Sequence, residues 1–336
     1  MTAFDRAWLI VKQDVMRLED YPLTGLEGGL PPSNLRGEEL FVTAGKKPGS
    51  KSSLPFSFTV KMPSPSFGIP TKYCKSGHIM ADVPGSICGD CYAQSGTYNY
   101  PSTRDANERR YQKLMENPVE WGKSMARLIP LYSQMTKDEL MGLVPISSVN
   151  PDYPSIDDKE GYFRWHDSGD IQSPQHLSLL MDIARATPSV NHWLPIHEPQ
   201  MLRQLLNAGG DIPENMLVRV SSPMKFQRLS DKFDHPRVKY SSAGRKQLFG
   251  ELGENEQQCP GLCLDENCNT CWLPDVENVD YQLKRGGQKV KPESALNEVM
   301  GNPTLMNQLM NTEEGFNLLT STEEGKMALD HLLNRR

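Results

Sequence analysis

Tyr162-Phe-Arg-Trp-His-Asp-Ser-Gly-Asp-Ile-Gln-Ser173 is the stretch of sequence that decides the fold. Its first residues are aromatic and strand-prone, and they run directly into the turn Asp167-Ser-Gly-Asp170. Ser173 then precedes Pro174 and an amphipathic run. Serine at the N-cap followed by proline at the first helical position is a strong helix-start signal. The stretch therefore predicts a strand, a tight glycine turn and a helix.

Two carboxylates, Asp167 and Asp170, follow this predicted strand directly. Open α/β sheets and barrels carry their functional sites at the carboxyl ends of their strands, so both acids are candidate catalytic residues. Aspartate is also an ordinary turn residue. The alternative interpretation is that the two acids only order the turn and cap the next helix.

The alternation of strand and helix continues along the chain. Strand-like segments cover residues 191–197, 215–222 and 237–242, and Pro199 begins a helix between the first two. Residues 55–62 also alternate and are predicted to form the first core strand. Repeated strand–helix units of this length predict a parallel sheet, and we expect a complete or partial TIM-like (β/α) barrel.

Three regions are predicted from composition. Residues 1–54 form an N-terminal wrap, residues 55–280 the barrel-like catalytic domain with its cysteines, and residues 281–336 a basic loop and C-terminal helices. The chain has 336 residues, a net charge of -6, no apolar run long enough to span a membrane and no signal-peptide layout, so we expect a cytoplasmic protein. The acidic balance still permits a local basic groove that binds nucleic acid.

The seven cysteines fall into two groups, which in a reducing compartment indicates metal binding rather than disulfides. The early set is Cys74, Cys88 and Cys91, and the late set is Cys259, Cys263, Cys268 and Cys271. Four thiolates on short loops can close a tetrahedral shell, so we expect zinc at the late set, with an iron–sulfur cluster as the alternative.

The early set, which ends in Cys91-Tyr92 just after the first predicted strand, resembles the iron–sulfur centre of radical S-adenosylmethionine enzymes. That resemblance implies a cluster held by three cysteines, with Ser168-Gly-Asp170 holding the amino group of the cofactor. The gap between Cys74 and Cys88 is longer than that family's usual spacing. Structural zinc completed by His78 is the alternative.

The order of several segments resembles the phage gene product 88 family. The segments are Cys88 to Ala93, Arg164 to Asp170, Asn215 to Ser222 and Cys259 to Trp272. The resemblance covers roughly residues 55–280 and implies a phage or mobile-element origin, and therefore the host cytoplasm.

A shorter resemblance implies chemistry. Asp167-Ser-Gly-Asp-Ile-Gln172 is similar to the Asp-Ser-Gly-Gly-Phe-Gln motif of guanine transglycosylases, whose DpdA branch modifies DNA. Phe233-Asp234 is similar to the Phe-Asp that carries that family's nucleophile. Two features depart from the family: Asp170 stands where it has glycine, and no histidine closely follows the late cysteines.

This resemblance implies an enzyme that exchanges guanine in DNA for a 7-deazaguanine base through a covalent Asp–nucleotide intermediate. Asp234 would be the nucleophile and Asp167 the acid and base, with Asp170 a candidate for either role. The candidate substrate-binding residues are Ser168, Gly169, Gln172, His197 and Ser221. The rival hypotheses are a radical S-adenosylmethionine enzyme and a non-catalytic, metal-stapled DNA-binding protein.

Overall fold

The computed structural model describes residues 55–59, 62, 64–134, 161–229, 232–261, 269–285, 288–289 and 291–333. The predicted N-terminal wrap and two of the late cysteines, Cys263 and Cys268, lie outside these residues. Within the described part of the chain, no helix combines the length and the apolar character needed to cross a membrane.

One mostly parallel sheet organises the molecule. Its strands are β1 (Ser57–Phe58), β2 (Pro65–Ser66), β3 (Gly161–Arg164), β4 (Val190–Ile196), β5 (Met216–Ser221), β6 (Val238–Ala243), β7 (Glu256–Gln258) and β8 (Asn278–Tyr281). The strand order is β1-β2-β3-β4-β5-β6-β8-β7, and only the β1–β2 pair is antiparallel. The edges formed by β1 and β7 do not pair, so over the described residues the sheet is open. We expected a complete or partial barrel, and a closed barrel is not found among these residues.

Most helices begin where the sequence places a start signal. They are α1 (Ser76–Met80), α2 (Pro101–Glu116), α3 (Pro118–Ser133), α4 (Pro174–Ala186), α5 (Pro199–Asn207), α6 (Arg245–Phe249), α7 (Pro292–Met300), α8 (Pro303–Met310), α9 (Glu313–Ser321) and α10 (Glu323–Leu333). The Ser173 side chain accepts a hydrogen bond from the His176 backbone N–H at 3.0 Å, which confirms the predicted start of α4.

The basic run at 284–291 differs from the prediction of a loop. Lys284–Arg285 (β9) pairs antiparallel with Gln288–Lys289 (β10) as a small separate ribbon. This ribbon could not be predicted from the sequence because its two strands are only two residues long.

Helices cover one face of the sheet. Phe163, Trp165 and Leu194 point to that face and pack with Trp121 of α3 and Leu180 of α4 in the main apolar core. Each of these five side chains is fully buried, so the core fixes how β3 and β4 lie against the helices. This packing holds the turn after β3 in place.

The opposite face is covered by residues 269–276 rather than by a helix. Trp193 of β4 packs against Trp272 with ring centroids 5.2 Å apart, in a cluster that includes Cys271. Arg219 of β5 is fully buried beneath this segment. Its guanidinium donates to the carbonyls of Thr270, Cys271, Leu273, Val276 and Tyr240, at 2.9 to 3.2 Å.

Candidate functional site

The carboxyl ends of β2, β3 and β4 meet at one edge of the sheet, and the turn after β3 forms the centre of that edge. Two of its residues have left-handed backbones, His166 with φ 50° and Gly169 with φ 74°. A Cβ on Gly169 would lie 2.8 Å from the Ile69 carbonyl oxygen, so glycine is required there on two counts. A non-glycine residue with positive φ is uncommon and tends to occur at functional sites.

Asp167 is buried at the start of this turn, with 1% of its surface exposed. The Ser66 hydroxyl of β2 donates to its Oδ2 at 2.7 Å, and Oδ1 has no hydrogen-bond partner among the described residues. The Asp167 backbone carbonyl accepts from the hydroxyls of Tyr92 at 2.6 Å and Tyr98 at 3.2 Å. Asp167 therefore joins β2, the turn and the segment that follows Cys91.

The Asp170 carboxylate lies in a different part of the site, close to Glu198, which follows β4. The backbone N–H groups of Ile171 and His197 donate to the Asp170 carboxylate, each at 2.7 Å. Burial raises the pKa of Asp170, and the neighbouring Glu198 raises it further. Burial also raises the pKa of Glu198, to about 7. Both buried carboxyls are therefore harder to ionise than free acids.

The early cysteines converge beside this acid pair. A Cβ on Gly77 would lie 3.8 Å from the Cys74 sulfur and 3.5 Å from the Cys88 sulfur, so the two sulfurs flank one point. Burial raises the pKa of the Cys74 thiol, and Asp170, Cys91, Cys88 and Glu198 each raise it further because they lie nearby. Burial likewise raises the pKa of Cys88, to about 12. Three thiols and two acids thus share one neighbourhood at the sheet edge.

Glu198 also fixes the loop that carries the early thiols. Its carboxylate accepts from the Ser76 backbone N–H at 2.7 Å and from the Ser76 hydroxyl at 2.6 Å. Ser76 lies two residues after Cys74, so the end of β4 is tied directly to the cysteine loop. His78, the alternative fourth ligand, is exposed. Within the described residues, no three His, Cys, Asp or Glu side chains form a ready-made site for a single metal ion.

The described part of the late set lies on the other face of the sheet. Cys271 is buried and Cys259 is half-buried. Burial raises the pKa of the Cys271 thiol to about 11, and the nearby Cys259 raises it further. The Cys271 sulfur lies 3.4 Å from the Tyr281 hydroxyl. Zinc at the full set of four remains a prediction because Cys263 and Cys268 fall outside the described residues.

The predicted substrate-binding residues reach the edge, but internal hydrogen bonds already engage several of them. The Ser168 hydroxyl donates to the Ile69 carbonyl at 2.9 Å, and the Gln172 amide donates to the Asp170 carbonyl at 2.7 Å. Ser221 at the end of β5 bonds to Ser241 at 3.0 Å. His197 offers its backbone to Asp170, and burial lowers the pKa of its imidazole to about 4.

Asp234, the predicted nucleophile, does not join the site. It is exposed and precedes β6, at the amino end of that strand. In a parallel sheet the amino and carboxyl ends of the strands lie at opposite edges, so Asp234 is separated from Asp167 and Asp170 by the length of the sheet. The two-residue Phe-Asp resemblance was too short to predict position.

Three residues of the edge were not predicted from the sequence: Glu198, Ser66 and Arg164. Glu198 did carry a signal, because it follows a predicted strand directly and precedes the helix-starting Pro199. Ser66 carried none, since β2 is only two residues long and begins with a proline.

The fold and the edge together define a mostly parallel α/β protein with a site lined by thiols and carboxyls. Over residues 38–248, more than half of its 336 residues, the chain matches the family described as gene product 88. The chain therefore belongs to that bacteriophage-associated family. Comparison with curated proteins finds no match, and comparison with solved structures finds none. The resemblance to guanine transglycosylases thus rests on the Asp167–Gln172 motif alone.

Proposed function

We propose that the protein is an iron–sulfur enzyme of the radical S-adenosylmethionine type, acting in a phage-infected host cell. The observation that carries the proposal is the convergence of Cys74, Cys88 and Cys91 beside Asp170 and Glu198. Thiolates are the ligands of iron–sulfur clusters, and three of them leave one iron open for a cofactor. A cluster spans several atoms, so its cysteine sulfurs stand farther apart than the ligands of one zinc ion.

The chemistry that such a cluster supplies when bound is the one-electron reductive cleavage of S-adenosylmethionine. The chain's own residues would hold and orient the reactants. Glu198 fixes the cysteine loop through Ser76, and Asp170, in the turn after β3, lies beside that loop. Two hydrogen bonds hold the Asp170 carboxylate in place and make the site rigid. One comes from its own turn and the other from the end of β4.

The test is cofactor cleavage by anaerobically purified protein under a strong reductant. We expect 5′-deoxyadenosine to be released by the wild type and not by C88A, whereas S102A, which alters an exposed serine at the start of α2, should behave like the wild type. Release that is equal in wild type and C88A, or absent from iron-loaded wild type, would count against the proposal.

Base exchange on DNA is the second candidate, and the shared turn of Asp167 and Asp170 supports it. Because Asp234 lies at the other edge, the nucleophile would have to be Asp167, whose Oδ1 lacks a hydrogen-bond partner. Its bond to C1′ would form as the C1′–guanine bond breaks, with the proton of the Asp170–Glu198 pair passing to the departing base. The incoming 7-deazaguanine would then displace Asp167 and return a proton to the pair.

Incubation with duplex DNA and labelled 7-deazaguanine separates the two candidates. Base exchange predicts incorporation that is independent of any reductant, abolished in D167N and retained in D105N, a change at an exposed position of α2. An absence of incorporation by protein that cleaves S-adenosylmethionine would leave the iron–sulfur proposal standing alone.

A further inference from the structure

Arg164 stands at the carboxyl end of β3, on the face of the sheet opposite the helices. Its guanidinium lies 4.7 Å from the centre of the Trp193 ring, and Nη2 donates to the Tyr92 hydroxyl at 3.0 Å. Nη1 has only the Met62 sulfur, at 3.9 Å. Among the described residues, no carboxylate forms an ion pair with Arg164. Among the described residues, the acceptors of this half-buried guanidinium are therefore the Tyr92 phenol oxygen and the more distant Met62 sulfur.

Two buried donors at Arg164 lack an acceptor among the described residues. They are its own Nε and the Trp193 indole nitrogen. A guanidinium presents five donors in a planar fork, and burying such donors without an acceptor is destabilising. A guanidinium without an ion-pair partner among the described residues, beside donors that lack acceptors, is the complement of an anionic group with several oxygens.

The surroundings indicate what carries that anion. Tyr92 directly follows Cys91, and 56% of its surface is exposed although its hydroxyl is anchored on Asp167 and Arg164. Its ring packs edge-on against Tyr98, with centroids 5.8 Å apart. An anchored and exposed aromatic ring beside an arginine is the combination that binds the base and the phosphate of single-stranded nucleic acid.

We propose that Arg164 binds a phosphate of a nucleotide substrate, with Tyr92 stacking on the base. This inference deepens the proposed function by naming its substrate class, but it does not depend on the thiols holding a cluster. The proposal assigns phosphate binding to Arg164 and not to Asp167, whose carboxylate is turned toward Ser66.

The test is binding of a labelled single-stranded oligonucleotide of about 12 residues to anaerobically purified full-length protein, measured by fluorescence anisotropy. We expect R164M to weaken binding about 10- to 100-fold and to lower the salt slope by about one. R104M, which changes an exposed arginine of α2, should have a much smaller effect. Competition by deoxyguanosine monophosphate shows whether one nucleotide suffices or a strand is needed.

Two further measurements can contradict the inference. One uses the R164K variant, and the other uses S-adenosylmethionine as a second ligand. Lysine preserves the charge without the fork, so a folded R164K protein should fall between the wild type and R164M. Binding of S-adenosylmethionine should be unchanged in R164K. If oligonucleotide binding is equal in wild type, R164K and R164M, or if only S-adenosylmethionine binding is lost, the phosphate assignment is wrong. Loss of cofactor cleavage in C88A with intact oligonucleotide binding would leave this inference untouched.

Discussion

Arg219 shows how one side chain can organise a whole face of a sheet. All five of its N–H donors could engage carbonyls, and the segment from Thr270 to Val276 supplies four of those carbonyls. The fifth bond, to Tyr240 at 3.2 Å, ties β6 to the same guanidinium. The covering segment is thus held by protein hydrogen bonds as well as by any metal bound at the late cysteines.

Replacing Arg219 by lysine should therefore be costly although it preserves the charge. Lysine offers three donors and cannot reach five carbonyls in one plane. We expect the free energy of unfolding to fall by about 2–4 kcal/mol in R219K. Chemical denaturation monitored by tryptophan fluorescence measures this, with R104K as the control on an exposed helix face. Equal stability of R219K and R104K would contradict the role given to Arg219.

His192 should make the fold sensitive to acid. It is buried, the Trp165 indole donates to its Nδ1 at 3.2 Å, and its Nε2 lies 2.8 Å from the Thr187 hydroxyl. Burial lowers its pKa from 6.5 to about 3, so the folded state keeps this imidazole neutral. The associated stability is complete above the unfolded pKa of 6.5 and is lost as the pH falls below it.

H192Q, which cannot be protonated, isolates this contribution. The wild type should be more stable at neutral pH, and its advantage over H192Q should shrink by about 1 kcal/mol per pH unit below pH 6.5. Urea melts of both proteins at a series of pH values measure the difference, in which the other histidines cancel. A difference that does not change with pH would show that His192 is not held neutral by the fold.

At the residue scale, local patterns indicated which residues lie at this edge of the sheet, but not which partners they have. It indicated Asp170 and the early cysteines, because carboxylates after a strand and a Cys-x2-Cys gap are local signals. It could not pair Asp170 with Glu198, since that contact depends on β3 and β4 lying side by side. The position of Asp234 was mistaken for the same reason: only the topology tells which edge of the sheet a residue occupies.

At the scale of elements, strong local signals located β3 to β6 and the helices between them. Aromatic or β-branched runs followed by Ser-Pro or Glu-Pro define both ends of these units. The predicted first strand at 55–62 shrank to Ser57–Phe58, and β8 was not predicted at all. β1 lies at the end of the strand order, and β8 lies beside the late cysteines. At such positions, pairing with neighbouring strands outweighs the intrinsic β-propensity of the sequence.

The cap of α4 gives a prediction at this scale. Ser173 closes the turn that carries Asp167 and Asp170, and its hydroxyl satisfies the His176 N–H. We expect S173A to lower the free energy of unfolding by about 0.5–2 kcal/mol, and to do so without changing the fold. Thermal melts with circular dichroism measure the loss. T320A, which alters an exposed threonine in the last turn of α9, serves as the control and should stay within about 0.5 kcal/mol of wild type.

At the scale of the whole molecule, the cysteine loop is the place where distant parts of the chain meet. Glu198 holds it from β4, and Lys225 pairs with both Asp90 in the loop and Glu298 in α7. Leu305 of α8 packs so closely on Gly85 that any Cβ there would collide with it. The C-terminal helices therefore hold the cysteine loop on one side, and the end of the sheet holds it on the other.

This convergence leads to the central claim, that Cys74, Cys88 and Cys91 hold one iron–sulfur centre. The most direct test is the iron and sulfide content, with electron paramagnetic resonance of the reduced state, of anaerobically purified wild type, C74A, C88A, C91A and S102A. We predict a cluster signal in wild type and S102A and its loss in each cysteine variant, with any metal at the late cysteines retained. Iron content and spectra that are the same in all five proteins would contradict the claim.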